Sequence, residues 1–191
     1  MALLPINISS YDGFREDALN RASQGMGYDV DGSFGYQCWD LAAELWMNIP
    51  EFSGGVLYPQ TGPNLYASEC WTVSRDVNAG MSFDLIYNLS DVKRGDCIVI
   101  ASSPISTTGH IAFADQDYGG VNTMNLLGQN QVNPSPTEGH IPTVTNVDVG
   151  SYFLGAFRYK VWEQPGPITK VKRKQFPWFL VQRRLREMWG V

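Results

Sequence analysis

The sequence predicts an α+β fold in which N-terminal helices pack on an antiparallel β-sheet. Apolar residues in the first half recur at steps of three and four, as on one face of a helix. After Gly80 the pattern changes to short apolar runs separated by clusters of Gly, Pro, Asn and Ser, which is typical of strands and turns. The 191 residues suffice for one well-buried core, and a hydrophobic content of 43% indicates a folded domain.

Three segments are predicted to be helical. The first covers residues 10–22, where Ser9 or Ser10 can cap the N-terminus. The second begins at Gln37 and ends at Pro50, because proline stops a helix. The third covers residues 67–77.

Four later segments are predicted to be strands. They are residues 96–101, 110–115, 122–127 and 153–161. A hinge containing Pro165 and Pro167 follows. The chain is therefore predicted to comprise one folded domain, residues 1–163, and a tail, residues 164–191.

Three cysteines, an odd number with no CxxC pair, indicate neither a disulfide framework nor a zinc site. Cys70 and Cys97 lie in apolar surroundings and are predicted to be buried hydrophobes. Cys38 instead opens the second helix, directly after a glycine-rich loop. A helix N-terminus favours the thiolate and so is expected to lower the pKa of this thiol. Cys38 is therefore the candidate nucleophile.

The chain has two histidines, His110 and His140. His110 opens an apolar strand after Gly109, and a residue without a side chain is expected to leave room beside the imidazole. His140 lies in a proline-flanked loop and is expected to be a surface residue. The pattern makes His110 the candidate general base for Cys38.

Four stretches of the sequence carry a family resemblance. They are GYQCWDL at 35–41, KRGD at 93–96, GHIA at 109–112 and LGQNQ at 127–131. In this order and spacing they resemble the CHAP family, the cysteine- and histidine-dependent amidohydrolases/peptidases of phage lysins and bacterial cell-wall hydrolases. The resemblance covers about residues 10–162. It implies a papain-like fold and a peptidoglycan hydrolase, either an N-acetylmuramoyl-L-alanine amidase or an endopeptidase.

The resemblance also places a third catalytic residue on the strand that follows the histidine strand. Several relatives carry a carboxylate where this chain has Gly128, which leaves Asn130 as the candidate to orient His110. An amide can fix the tautomer of an imidazole through one hydrogen bond. It cannot stabilise an imidazolium by charge. The predicted catalytic set is therefore Cys38, His110 and Asn130.

The loop ahead of the cysteine carries a second candidate site. Its oxygen-bearing residues are Asp29, Asp31, Ser33, Gly35 and Asp40. Such alternating residues suit Ca²⁺ better than Mg²⁺, with carboxylates from the three acids and backbone carbonyls from the other two. CHAP domains of some staphylococcal phages have a calcium site with acids at these offsets. The alternative is an acidic surface turn with Asp40 as a charge at the helix N-terminus.

Charge is unevenly distributed along the chain. Seven of the fourteen Lys and Arg residues, but only one acid, follow Ile168, so the tail carries +6 and the remainder −11. The acidic body does not suit a nucleic-acid-binding protein. The basic tail, residues 168–191, either docks on this body or anchors the chain to a phage tail or virion protein or to anionic envelope polymers.

Two other functions fit the same sequence. One is a cysteine hydrolase that acts on an amide outside peptidoglycan, and the other is a non-catalytic structural component of a phage tail that retains the fold. The N-terminus predicts no secretory signal, and no apolar run reaches the ~20 residues of a transmembrane helix. The resemblance implies a protein of the host cytoplasm before lysis, or of the virion, that acts on the cell wall.

Overall fold

The computed structural model describes residues 6–52, 58–78, 80–103, 106–132, 134–135 and 139–163. These residues form an α+β fold, as predicted, with helices packed on one antiparallel sheet. The helices are α1 (Tyr11–Ser23), α2 (Cys38–Met47) and α3 (Glu69–Asn78). The strands are β1 (Phe83–Ile86), β2 (Cys97–Ile100), β3 (His110–Ala114), β4 (Thr123–Gly128), β5 (Thr143–Asp148) and β6 (Phe153–Tyr159). The predicted tail, residues 164–191, lies outside the described residues.

The sheet has the order β1-β6-β2-β3-β4-β5, with every neighbouring pair antiparallel. All three predicted helices and all four predicted strands are present, and their bounds differ from the predictions by a few residues. The strands β1 and β5 were not predicted. They form the two edges of the sheet.

The central strands are buried on both faces. On β2, Cys97 and Val99 belong to the core beneath the helices, whereas Ile98 and Ile100 belong to a second apolar cluster on the opposite face. Successive side chains of a strand point to opposite faces, so a strand covered on both faces consists of apolar residues throughout. This explains the unbroken apolar sequence of β2. The buried strand β2 in turn holds its neighbour β3 in a fixed position.

Aromatic packing holds the helices on the sheet. Trp46 of α2 stacks on Phe83 of β1, with ring centroids 4.3 Å apart, and Phe14 of α1 lies 4.8 Å from Phe113 of β3. Such pairs each contribute about 0.5–1.5 kcal/mol beyond the burial of their area. The helix α2 packs on β3, so the two elements that begin with Cys38 and His110 are in direct contact.

Among the described helices, none combines the length and apolar character required to cross a bilayer.

Candidate active site

Cys38 is the first residue of α2 and is partly buried. The helix α2 packs directly on β3, and the backbone N–H of Ile111, which follows His110 on that strand, acts to lower the pKa of the Cys38 thiol. The structure therefore brings the first of the predicted catalytic residues to the strand that carries the second. Cys70 and Cys97 are fully buried in the core, as predicted.

The pKa of Cys38 is raised to about 11, and not lowered as the sequence predicted. Burial is the main cause, because the thiolate loses its hydration. The N–H groups of Ile111, Trp39 and Cys38 itself lower the pKa, which is the predicted influence of a helix start. The negative charge of Asp40 raises it. The prediction was wrong in sign because desolvation outweighs these hydrogen bonds.

His110 is the first residue of β3, and only 2% of its surface is exposed. Burial lowers its pKa to about 4, whereas a hydrogen bond to Gln131 acts in the opposite direction. At neutral pH the resting pair therefore consists of a thiol and a neutral imidazole. A neutral imidazole is the form that can take a proton from the thiol.

Gly109, which precedes the histidine, is confined by its neighbours. Its φ of +78° is a conformation that side chains disfavour. A Cβ there would lie 2.6 Å from the Ile100 carbonyl oxygen and 2.6 Å from the Ser68 Cβ. The glycine therefore allows Ser68 and β2 to approach closely at the start of the histidine strand.

The side chain of Asn130 makes its hydrogen bonds to residues other than His110, contrary to the prediction. Its Nδ2 donates to Gln37 Oε1 at 2.7 Å and to the Ser135 carbonyl oxygen at 2.8 Å, and its Oδ1 accepts from Ser135 N. The exposed His140 lies on the same amide, with its Nδ1 3.0 Å from Oδ1. Asn130 thus ties the loop that follows β4 to the residue preceding the nucleophile.

The side chain of His110 forms a hydrogen bond with Gln131, a residue outside the predicted catalytic set. Its Oε1 lies 3.3 Å from the imidazole Nε2, and both side chains are buried. The sequence contained a signal, since polar residues occupy 129–131 directly after an apolar strand. It did not show which of them faces the histidine.

The neighbouring Gln129 anchors the loop that leads to the nucleophile. Its side chain is fully buried and donates to the carbonyl oxygens of Tyr28 and Gln37 at 3.0 and 2.9 Å. Its Oε1 accepts from Tyr28 N at 2.7 Å. A buried side-chain amide that forms hydrogen bonds with several backbone groups of a loop holds that loop in one conformation. The acidic loop, defined here as residues 29–35, is thus anchored on both sides to Gln129 just after β4.

The three predicted acidic ligands converge at the start of α2. The oxygens of Asp29, Asp31 and Asp40 lie within 4.8 Å of one another. Asp40 is 1% exposed, and its oxygens accept from Val30 N and Gln37 N, both at 2.8 Å. Burial, with a contribution from the other two carboxylates, raises the pKa of Asp40 to about 8. Burial also raises the pKa of Asp31.

The other two predicted ligands have different surroundings. Ser33 is exposed, and its backbone N–H donates to Asp31 Oδ1 at 2.8 Å. The carbonyl oxygen of Gly35 accepts from Gln37 N at 2.9 Å, which leaves one lone pair for a further partner. The structure brings together the three carboxylates, and the assignment of Ser33 and Gly35 as ligands stays a prediction.

Comparisons with known proteins give one sequence relative and several structural ones. The chain is 32% identical over 110 residues to a D-alanyl-L-alanine endopeptidase of Streptococcus phage B30. That stretch covers 57% of this chain and 23% of the phage protein, so the chain spans less than a quarter of its relative's length. No protein-family model matches the chain.

The fold is similar to that of the endolysin LysIME-EF1, whose crystal structure matches with a TM-score of 0.55 and 19% identity. The match covers 92% of this chain and 86% of that one. The structure of Ly7917 matches more weakly, with a TM-score of 0.48 and 18% identity over 76% of this chain and 62% of that one. The first of these likenesses supports the α+β fold.

Proposed function

We propose that this chain is a phage peptidoglycan hydrolase of the CHAP type, with Cys38 as the nucleophile and His110 as the general base. The observation that carries the proposal is the direct packing of α2, which begins with Cys38, on β3, which begins with His110. The phage endopeptidase relative and the endolysin-like fold support the substrate class. The resemblance to CHAP domains supports the thiol mechanism.

The reaction begins with proton transfer from the Cys38 thiol to the neutral imidazole of His110. The thiolate sulfur then forms a bond to the amide carbonyl carbon, and the carbonyl electrons move to its oxygen. Backbone N–H groups at the start of α2 stabilise this oxyanion. Collapse of the intermediate breaks the C–N bond, and the proton held on His110 passes to the leaving amine. Water then attacks the thioester carbon and gives a proton to His110. The C–S bond breaks, His110 returns the proton to the departing sulfur, and the acid is released with the thiol restored.

Between the two bond classes, we propose endopeptidase cleavage. The relative from phage B30 is named for cleavage of a D-alanyl-L-alanine bond, and the 110 matching residues include more than half of this chain. The amide between muramic acid and L-alanine is the alternative bond.

The digestion of purified streptococcal cell walls tests both parts of this proposal. We expect turbidity to fall and mass spectrometry to identify fragments with a new D-alanine carboxyl terminus and a new L-alanine amino terminus. Fragments with a free lactyl carboxylate would contradict the endopeptidase assignment. Walls that keep their turbidity and release no new amino groups would contradict a peptidoglycan hydrolase and favour the structural tail component.

We further propose that the acidic loop binds Ca²⁺. Oxygens within 4.8 Å of one another can share one ion, because calcium binds its ligands at about 2.3–2.6 Å. The buried Asp40 has a raised pKa, so its two backbone hydrogen bonds only partly compensate the carboxylate for its lost hydration. A bound calcium ion would supply positive charge to the three acids and link residues 29–31 to the helix that begins with Cys38.

Calcium should therefore stabilise the protein. At one hundred times the dissociation constant, binding to the native state alone adds about 2.7 kcal/mol to the free energy of unfolding. For a chain of this size we expect the melting temperature to rise by about 5–10 °C. We also expect Asp31→Asn to remove the rise, and EDTA to reverse it.

The matched control is Asp76→Asn, since Asp76 is an exposed acid on α3 outside the cluster. This variant should respond to calcium as the wild type does. Isothermal titration calorimetry checks the binding directly. Absence of binding heat up to millimolar calcium, or an equal response in Asp31→Asn and Asp76→Asn, would exclude the site.

A further inference from the structure

The side chain of Gln131 is fixed by three contacts at one end of its amide. Its Nε2 lies 2.9 Å from the Leu126 carbonyl oxygen, 2.8 Å from the Thr143 carbonyl oxygen and 3.2 Å from Thr143 Oγ1. Carbonyl oxygens only accept hydrogen bonds, so the amide end that faces two of them must be the NH₂ group. The opposite end, the oxygen Oε1, must therefore be the end that faces His110.

This orientation determines the protonation of the imidazole. A neutral imidazole has one N–H donor and one acceptor nitrogen, and an amide oxygen only accepts. The nitrogen 3.3 Å from Gln131 Oε1 is Nε2, which must therefore carry the proton. The other nitrogen, Nδ1, then has a free lone pair.

We infer that Gln131 positions His110 and fixes it in the tautomer with the proton on Nε2, so that Nδ1 is the atom that accepts the Cys38 proton. The inference rests on the proposed function for its catalytic meaning. Gln131 touches neither substrate nor the reacting sulfur in this scheme and is thus a positioning residue. It takes the role that the sequence analysis gave to Asn130.

The space for this amide depends on Gly128, the last residue of β4. A Cβ at Gly128 would lie 2.7 Å from Gln131 Oε1 and 2.9 Å from the Ala112 Cβ on the histidine strand. Any larger residue at position 128 would therefore push the amide oxygen away from its present place. The glycine and the glutamine act as a pair.

The same contacts explain why the residue is an amide and not a carboxylate. In Gln131→Glu, a carboxylate oxygen would replace the NH₂ group opposite the carbonyl oxygens of Leu126 and Thr143. The carboxylate oxygen and the two carbonyl oxygens would then face one another in a buried site with no hydrogen between them. Each unsatisfied group lowers the free energy of unfolding by about 1–3 kcal/mol or more. We expect glutamate to be a poor substitute here despite its negative charge.

Nitrogen NMR of the ¹⁵N-labelled chain without substrate tests the tautomer. The sequence has only two histidines, so His140→Gln assigns the His110 signals without ambiguity. In the wild type near neutral pH we expect the signature of a protonated Nε2 and an unprotonated Nδ1. In Gln131→Met, which keeps the length of the side chain and removes its hydrogen bonds, we expect loss of the single fixed tautomer.

Asn146→Ala is the control for β5, because Asn146 is exposed and its side chain donates to Asn125 Oδ1 and not to Gln131. It should retain the wild-type tautomer. Activity gives a second readout: kcat of Gln131→Met should fall at least about tenfold, with KM nearly unchanged, because a misplaced base affects the chemical step. Neither Glu nor Met at this position should restore the wild-type rate.

A wild-type spectrum with the proton on Nδ1, or an unchanged Nε2 tautomer in Gln131→Met, would overturn the inference. The spectra need no substrate, so they are independent of whether the chain cuts peptidoglycan. Conversely, full activity in a variant without the Cys38 thiol would refute the proposed function and leave the tautomer assignment standing.

Discussion

Cys38→Ala should abolish cell-wall hydrolysis and lower turnover by about 10³-fold or more, because no other group can form the acyl intermediate. The thiol lies at the start of α2, the helix that packs on β3, and alanine removes only the sulfur atom there. The helix should therefore stay folded. The rate of turbidity loss and the release of new amino groups from purified walls measure the effect.

Cys70→Ala is the matched control. Cys70 is fully buried in α3 among core residues, so its loss should cost about 1 kcal/mol of stability and leave the rate unchanged. Melting temperatures of both variants separate unfolding from loss of chemistry. Equal loss of activity in the folded Cys38 and Cys70 variants would reject Cys38 as the nucleophile.

The helices and the histidine strand were predictable from local signals. Ser10 accepts a hydrogen bond from Gly13 N at the start of α1, and α2 ends shortly before Pro50. His110 opens β3 where the apolar run begins. Such signals lie within a few residues of the feature they specify, so a sequence reveals them without knowledge of the fold.

The edge strands lacked such signals. The strand β5, with the sequence TVTNVD, has one buried residue, and β1 has only four residues. An edge strand is covered less than a central one, and its polar residues resemble those of a loop. These strands are specified by the neighbours with which they pair, β4 and β6, and not by their own periodicity.

The partner of His110 could not be selected among Gln129, Asn130 and Gln131 for a related reason. Asn130 has a φ of +50°, which breaks the alternation of a strand and changes the direction of the chain. As a result, Gln131 lies behind the histidine while Asn130 turns to Gln37. A positive φ at a residue other than glycine is a tertiary outcome that sequence spacing does not reveal.

The sign of the pKa shift of Cys38 also depended on tertiary structure. The helix start and its N–H groups were readable from the sequence, and they do lower the pKa. The burial that raises it to about 11 comes from the packing of α2 on β3. The contribution of the helix start to this pKa is therefore local and predictable, whereas the larger contribution of burial depends on the folded structure.

His110→Ala should remove activity, and His140→Ala should retain most of it. His110 is buried at the start of β3, the strand on which the helix of Cys38 packs. His140 is exposed and hydrogen-bonded to Asn130. Loss of a general base typically costs about 10²–10⁴-fold in rate. His110→Gln is a second variant whose side chain fills more of the site than alanine does. A fall in rate in both variants would show that the loss comes from the missing base and not from a packing cavity.

The pH dependence of kcat/KM gives an independent check on the base. Because burial lowers the pKa of His110, the imidazole stays neutral below the ordinary value of 6.5, down to about 4. In saturating calcium, kcat/KM of the wild type should therefore hold as the pH falls through 6.5 and decline only towards 4. A decline centred at 6.5 would indicate a solvated base and would contradict the buried His110 as the general base. Wild-type turnover in folded His110→Ala would show directly that another group removes the thiol proton.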